Sequence, residues 1–238
     1  TGSVSFDRNV YPVPWGNETD SERFSLHATA AEPATVTSLS LAQGNVTVHV
    51  SVTDADYDVS AFGEDSISDT TVVLKIERGS DEVTVATFGN STYPIYETSP
   101  SSGVFEYDAT VGYRSGPDNA SCPTAFATGC VLQGDILTVT YNDIKDASGQ
   151  AQSVTDSATF DLRNGVLQAD KSVYLIGSDM ILTLIEPDFD RDNDGAESYT
   201  LDLIEWDSDA ATTTMGTYGV SGAAAAFDPE PSLLRETG

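Results

Sequence analysis

Basic residues are scarce in this chain of 238 residues: 10 Lys and Arg stand against 38 Asp and Glu, a formal net charge of −28. A nucleic-acid binder needs a basic face to neutralise phosphates, so that class is excluded. Attraction to anionic lipid is excluded on the same ground, and no apolar run is long enough to insert into a membrane. Histidine and cysteine are nearly absent. His27 and His49 lie far in sequence from Cys122 and Cys130, leaving too few nitrogen and sulfur ligands for a zinc site. The two cysteines are expected to close a short loop as a disulfide, which implies an oxidising compartment. There is no Gly-x-Ser-x-Gly, Walker or His-Glu-x-x-His pattern. Carboxylate pairs suited to glycoside hydrolysis carry no information where acids are this abundant. No enzyme activity is expected.

What the chain has in excess is negative charge, and a surface of that kind collects cations or simply keeps the protein soluble in salty water. Four N-x-S/T sequons, at Asn17, Asn45, Asn90 and Asn119, are candidate glycosylation sites and agree with an extracellular location. The chain opens on Thr1-Gly2 with neither an initiating methionine nor a signal peptide, so it reads as a mature or excised piece.

The apolar period is that of strands. Val46, Val48, Val50 and Val52 alternate with Thr, His and Ser; Val72, Leu74 and Ile76 share one face of the next run. Phe105, Tyr107, Ala109 and Val111 alternate likewise, as do Leu137, Val139 and Tyr141, and then Val154, Ala158 and Phe160. Turn residues punctuate these runs at short intervals, and nothing shows a helical stripe; the alanine run at 221–230 is one turn of helix or a loop. The predicted class is all-β, a sandwich.

Internal repetition divides the chain. "SVSFDRNVYPVPWG" (3–16) resembles "GVLQADKSVYLIGSD" (165–179), and "VTVHVSVTDADYDVSAFGED" (46–65) resembles "MILTLIEPDFDRDNDGAES" (180–198). "YETSPSSGVF" (96–105) finds the start of a counterpart in "RETG" (235–238). The expected domains are 1–163, one sandwich, and 164–238, the start of a second whose later strands are missing. Their absence predicts an exposed apolar sheet face, covered by downstream sequence or a neighbouring chain. The linker 163–170 is short, with no Pro or Ser tract.

Both repeats carry an acid-rich turn. Asp190, Asp192 and Asp194 alternate and precede Gly195, the first half of a calcium loop, in which a tight turn aims alternate oxygens at one hard cation. An EF-hand would require an acid at position 201, which is Leu201, so that version is excluded. Asp188, Glu186 and Glu197 stand near enough in sequence to complete an oxygen shell. The first repeat offers Asp54, Asp56 and Asp58, with Glu64 and Asp65 folding back. Each turn reads as a calcium site or as a solvated acidic turn; the lack of nearby His or Cys favours calcium over zinc.

Four segments together, "FDRNVYPVPWG", "VTVHVSVTDADYD", "ETSPSSGVFEYDATV" and "GDILTVTYNDIKDASGQAQSVTDSATFDL", resemble the repeated segments of surface-layer (S-layer) proteins of ammonia-oxidising archaea. The resemblance covers nearly all of 1–163 and the start of the second repeat. It implies tandem immunoglobulin-like domains, self-association of copies into a two-dimensional lattice at the cell surface, calcium dependence, glycosylation, and an acidic coat that concentrates cations such as ammonium. The second repeat's "YLIGSD" departs from the Pro-Val-Pro of the first. The expectation is therefore a structural S-layer glycoprotein; the alternative is an extracellular adhesin or filament subunit of repeated sandwiches that binds glycans or another cell.

Overall fold

Each alternating run becomes a strand with its apolar phase turned inward. In the computed structural model, which describes residues 2–15, 24–25, 40–41, 44–122, 129–146, 148–207, 212–214 and 233–237, Val46, Val48, Val50 and Val52 are all fully buried. So are Val72, Leu74 and Ile76 on one partner strand and Leu137, Val139 and Tyr141 on another. β-Branched and aromatic side chains pack well on a pleated, half-buried surface, and each fully buried one contributes roughly 1.5–3 kcal/mol. No α-helix occurs among the described residues. The alanine run lies outside them.

The chain forms two compact units, 1–14 with 45–191 and 15–44 with 192–238. The first is a sandwich of two five-stranded sheets. Its strands are β1 (Ser3–Phe6), β2 (Val10–Pro12), β5 (Val46–Thr53), β6 (Ser66–Ile67), β7 (Thr71–Arg78), β8 (Asp81–Phe88), β9 (Ile95–Glu97), β10 (Val104–Val111), β11 (Ile136–Asp143) and β12 (Gln152–Asp161); β3 (Phe24–Ser25) and β4 (Ser40–Leu41) pair in the other unit. One sheet has the order β1-β5-β10-β9-β6 and the other β2-β12-β11-β7-β8. The chain's first strand breaks after Phe6: β1 pairs antiparallel with β5, and β2 crosses to pair parallel with β12. This is the immunoglobulin arrangement. β7 and β8 meet through Gly79-Ser80, and Gly79 takes φ +64°, which glycine adopts at no steric cost. Aromatic contacts join the two sheets, with Phe88 stacked on Tyr107 at 4.0 Å between ring centres.

A further antiparallel pair in the same unit, β13 (Val166–Ala169) with β14 (Leu182–Ile185), reproduces β1 with β5 position by position. Phe6 faces Val50 and Ala169 faces Leu182; Ser3 faces Thr53 and Val166 faces Ile185. The polar details repeat as well. Asp7 N–H bonds His49 O and Asp170 N–H bonds Ile181 O; His49 N–H returns to the Asp7 carboxylate and Ile181 N–H to that of Asp170. Tyr11 donates to Asp7 and Tyr174 to Asp170, beneath Arg8 and Lys171 respectively. The burial does not repeat. Tyr11 is fully buried and Val13 nearly so, whereas Val173 is 78 % exposed, Leu175 82 % and Ile176 fully exposed.

The second unit holds β15 (Ser198–Thr200), β16 (Glu205–Asp207), β17 (Thr212–Thr214) and β18 (Leu233–Arg235), in the pairs β15–β18 and β16–β17. Here too a pairing recurs. Ser198 faces Arg235 and Tyr199 faces Leu234, as Ser66 faces Tyr96 and Ile67 faces Ile95 in the first unit. The division into compact units differs from the expected domains 1–163 and 164–238. Residues 164–191 belong with the first sandwich, where Arg163 binds Asp188 and Arg8 binds Asp190.

Candidate metal sites

β5 leaves the core at Thr53, and the acid-rich turn begins with a carboxylate that turns inward rather than out. Asp54 is 1 % exposed; its Oδ2 accepts the Tyr141 hydroxyl at 2.7 Å and its Oδ1 accepts Asp56 N–H at 3.1 Å. Burial, together with this bond to Asp54, pushes the Tyr141 hydroxyl far above the ordinary tyrosine range. The Gly2 backbone lies so close to the Tyr141 ring and Asp54 that no Cβ would fit there. Asp54 is thus committed to the fold. Asp56 and Glu64 are exposed.

Asp58 and Asp65 come together with a third acid, Glu97. Carboxylate oxygens of the three lie within 4.8 Å of one another. Glu97 ends β9, in the inward phase with the buried Ile95, and is itself 3 % exposed. Its Oε2 accepts Asp65 N–H at 3.0 Å, and its Oε1 accepts Gly103 N–H at 2.8 Å and the Ser102 hydroxyl at 3.3 Å. These donors, the Asp65 N–H first, hold its carboxyl below the usual range despite burial. Asp65 Oδ2 accepts Val59 N–H at 2.8 Å and Ser60 N–H at 2.7 Å. Asp58 is half-buried and accepts no hydrogen bond among the described residues. Three carboxylates at this spacing repel one another when ionised, and oxygen-only donors from one connection and a strand end suit a hard cation such as calcium.

The stretch 186–195 is arranged differently. Glu186 caps the short turn Pro187–Phe189, accepting Asp188 N–H at 3.2 Å as Asp54 accepts Asp56 N–H. Asp188 takes the Arg163 N–H at 2.8 Å and its guanidinium at 3.2 Å, and Asp190 takes Arg8 at 3.2 Å. These two charges are met by arginine. In the second unit, Asp192 Oδ1 accepts Asp194 N–H at 3.1 Å. Glu197 and Glu236 exchange backbone bonds as Asp65 and Glu97 do: Glu236 N–H bonds Glu197 O, and Glu197 N–H bonds the Glu236 carboxylate, each at 3.0 Å.

The sequence matches no protein-family model, and no curated protein matches it.

Cys122 and Cys130 form a disulfide. Beside it, Arg78 makes a two-pronged ion pair with Asp135 (2.6 Å for both contacts) and donates to Cys130 O at 2.7 Å. Asp135 is 1 % exposed and also accepts Leu132 N–H at 2.8 Å, so the disulfide-closed connection between β10 and β11 is tied to β7. His49 is a strand residue paired across to Asp108 at 2.8 Å; His27 lies outside the described residues. Of the sequons, Asn17 also lies outside them. Asn45 is half-buried just before β5. Asn90 accepts Thr92 N–H at 2.9 Å, and Asn119 accepts Ser121 N–H at 2.6 Å. No helix among the described residues is long and apolar enough to cross a membrane.

Glu97 escaped the sequence reading because it stands 32 positions beyond Asp65. Its signal was present: an acid in the inward phase of a short strand, followed by the Ser-Gly turn that supplies its donors.

Proposed function

We propose that this chain is part of an extracellular structural protein, an S-layer component whose immunoglobulin-like sandwiches are stiffened by calcium at their strand ends. The observation that carries the reading is the convergence of Asp58, Asp65 and Glu97 within one sandwich, where a cation would relieve their mutual repulsion and tie the turn after β5 to the end of β9. The disulfide and the four sequons support an oxidising, extracellular setting, with glycans at Asn17, Asn45, Asn90 or Asn119. The net charge of −28 supports a coat that enriches cations, ammonium among them, over anions.

The test is electron microscopy and thermal unfolding of the protein with calcium and after chelation. Calcium-dependent sheets and a calcium-dependent midpoint are the expected result, with the midpoint shift lost in Asp58→Asn. Unchanged assembly and unchanged midpoint after chelation would sink the calcium-stiffened lattice. A protein that stays dispersed and binds glycans would instead support the adhesin reading.

A further inference from the structure

Gly2 and Gly165 hold the same place in the repeat, one residue ahead of β1 and of β13, and both are glycine for the same reason. A Cβ on Gly2 would stand 2.3 Å from the Tyr141 ring and 2.9 Å from Asp54 Oδ2; one on Gly165 would stand 2.0 Å from Glu186 Oε2. Asp54 and Glu186 are themselves counterparts, each accepting the N–H two residues on. The two glycine N–H groups differ. Gly2 N–H is bonded to the buried Asp143 carboxylate at 2.8 Å. In β13 the residues bonded to β14 alternate back from Asp170 through Gln168 to Val166, so Gly165 N–H turns away from β14. Among the described residues it donates no hydrogen bond.

The residue before Gly165 supplies an electrophile. Asn164 is the only asparagine in the sequence that is followed by glycine. It is exposed, between β12 and β13, and its side chain makes no hydrogen bond among the described residues. Other asparagines are tethered. Asn90 and Asn119 accept N–H groups of their own turns, and Asn142 accepts the Ser153 hydroxyl at 2.7 Å and donates to Thr71 O at 3.1 Å. Each of these is also followed by a residue whose side chain shields the next backbone nitrogen. At 164–165 an untethered amide carbon adjoins an unbonded and unshielded nitrogen, and closing a five-membered ring needs no partner from elsewhere.

We propose that Asn164 is a site of covalent modification, deamidating through a succinimide with water as co-reactant. The Gly165 nitrogen bonds to Asn164 Cγ, the Cγ–Nδ2 bond breaks, and the amide nitrogen leaves as ammonia with the proton of the Gly165 N–H. Water then opens the ring. Attack at Cγ gives aspartate; attack at the Asn164 main-chain carbonyl carbon gives isoaspartate, whose main chain runs through Cγ. No atom is oxidised or reduced. Either product adds a carboxylate next to Arg163, which already holds Asp188 through its N–H at 2.8 Å and its guanidinium at 3.2 Å. Isoaspartate also adds one CH2 to the main chain between that clasp and β13, so the Arg163 N–H bond to Asp188 loosens while β13 stays on β14.

The test is incubation of the full chain at about pH 8, followed by intact mass, peptide mapping and fragmentation that separates isoaspartate from aspartate. The expected result is a gain of about 1 Da that falls first on Asn164, with both products present. Its rate should lie within about tenfold of that in the free peptide Phe-Asp-Leu-Arg-Asn-Gly-Val-Leu-Gln-Ala (residues 160–169), because nothing in the fold restrains the pair. Asn164→Gln, which must close a six-membered ring, should slow conversion at least about tenfold. In the isoaspartyl protein, amide exchange at Arg163 should be about tenfold faster, with Val166 and Gln168 unchanged. Three results would overturn the site: conversion of Asn90, Asn119 or Asn142 ahead of Asn164, native conversion more than about a hundredfold slower than in the peptide, or aspartate as the sole product. Unchanged exchange at Arg163 would overturn the loosening.

Discussion

The Tyr141 hydroxyl donates to Asp54 Oδ2 at 2.7 Å, and both residues are buried. The bond joins the end of β5 to β11, one residue from each sheet, at the end of the sandwich where the chain also begins. Asp54 was expected among the calcium ligands of its turn; its carboxylate instead anchors that turn to the core, and Asp58 and Asp65 meet Glu97 beyond it.

Tyr141→Phe should therefore destabilise the sandwich by about 1–3 kcal/mol, since it leaves a buried carboxylate oxygen without its donor. Urea unfolding measures this. Asp54→Asn should recover part of the loss in the Tyr141→Phe background, because a neutral amide is less costly to bury than a charge.

Alkaline pH should unfold the protein through its tyrosines. Burial pushes the hydroxyls of Tyr11 and Tyr141 far above the ordinary range, reinforced by Asp7 and Asp54 respectively. In the unfolded chain both ionise near pH 10. Above that pH the unfolded state holds fewer protons than the native one, so stability, undiminished below about pH 10, should fall by roughly 1.4 kcal/mol per pH unit for each buried tyrosine. Denaturant midpoints at pH 9, 10 and 11 check the slope, which should shrink in Tyr11→Phe.

Acid should act through Glu97. Its native carboxyl sits below the usual range because Asp65 N–H, then Gly103 and Ser102, donate to it. A depressed native value gives stability that is present above the unfolded value near 4.3 and is lost as pH falls through the native one. Glu97→Gln should flatten that part of the acid limb of the stability profile in calcium-free buffer. It should also weaken the response to added calcium; an unchanged acid limb would show that Glu97 does not carry it.

The disulfide connection rests on Arg78 and Asp135. Arg78→Met leaves Asp135, 1 % exposed, without its cation and should cost about 3 kcal/mol. Reducing Cys122–Cys130 releases a short loop and should cost about 2.5 kcal/mol on the loop-entropy account. Chemical unfolding with and without reductant, on wild type and variant, separates the two contributions.

The all-β class and most of the core were legible because a strand with one buried face writes a period of two. Val46 to Val52 and Leu137 to Tyr141 show it without interruption. Acids in a turn have no comparable code: whether Asp54 points in or out depends on Tyr141, far along the chain. Likewise nothing within their own turn shows that Arg163 and Arg8, from outside it, meet Asp188 and Asp190. Glu97 joins Asp65 only through strand pairing. The repeat was legible as a pattern of residues, and an exposed apolar face in its second copy was expected; which positions stay uncovered was not legible, since covering an apolar position is a property of neighbours that the position itself does not encode.

That unequal burial makes a paired prediction. Val13 and Ile176 hold the same place in the repeat, each two residues after the tyrosine that binds its aspartate. Val13 is 9 % exposed in the core cluster, whereas Ile176 is fully exposed. Val13→Asp buries an unpaired charge and should cost at least about 3 kcal/mol, enough to unfold a marginal domain. Ile176→Asp removes no core contact and should change stability by less than about 0.5 kcal/mol. Thermal and urea unfolding of the two variants side by side decide the matter. A large loss from Ile176→Asp would mean that the second copy of the motif is packed in solution, and that its apolar positions are already covered.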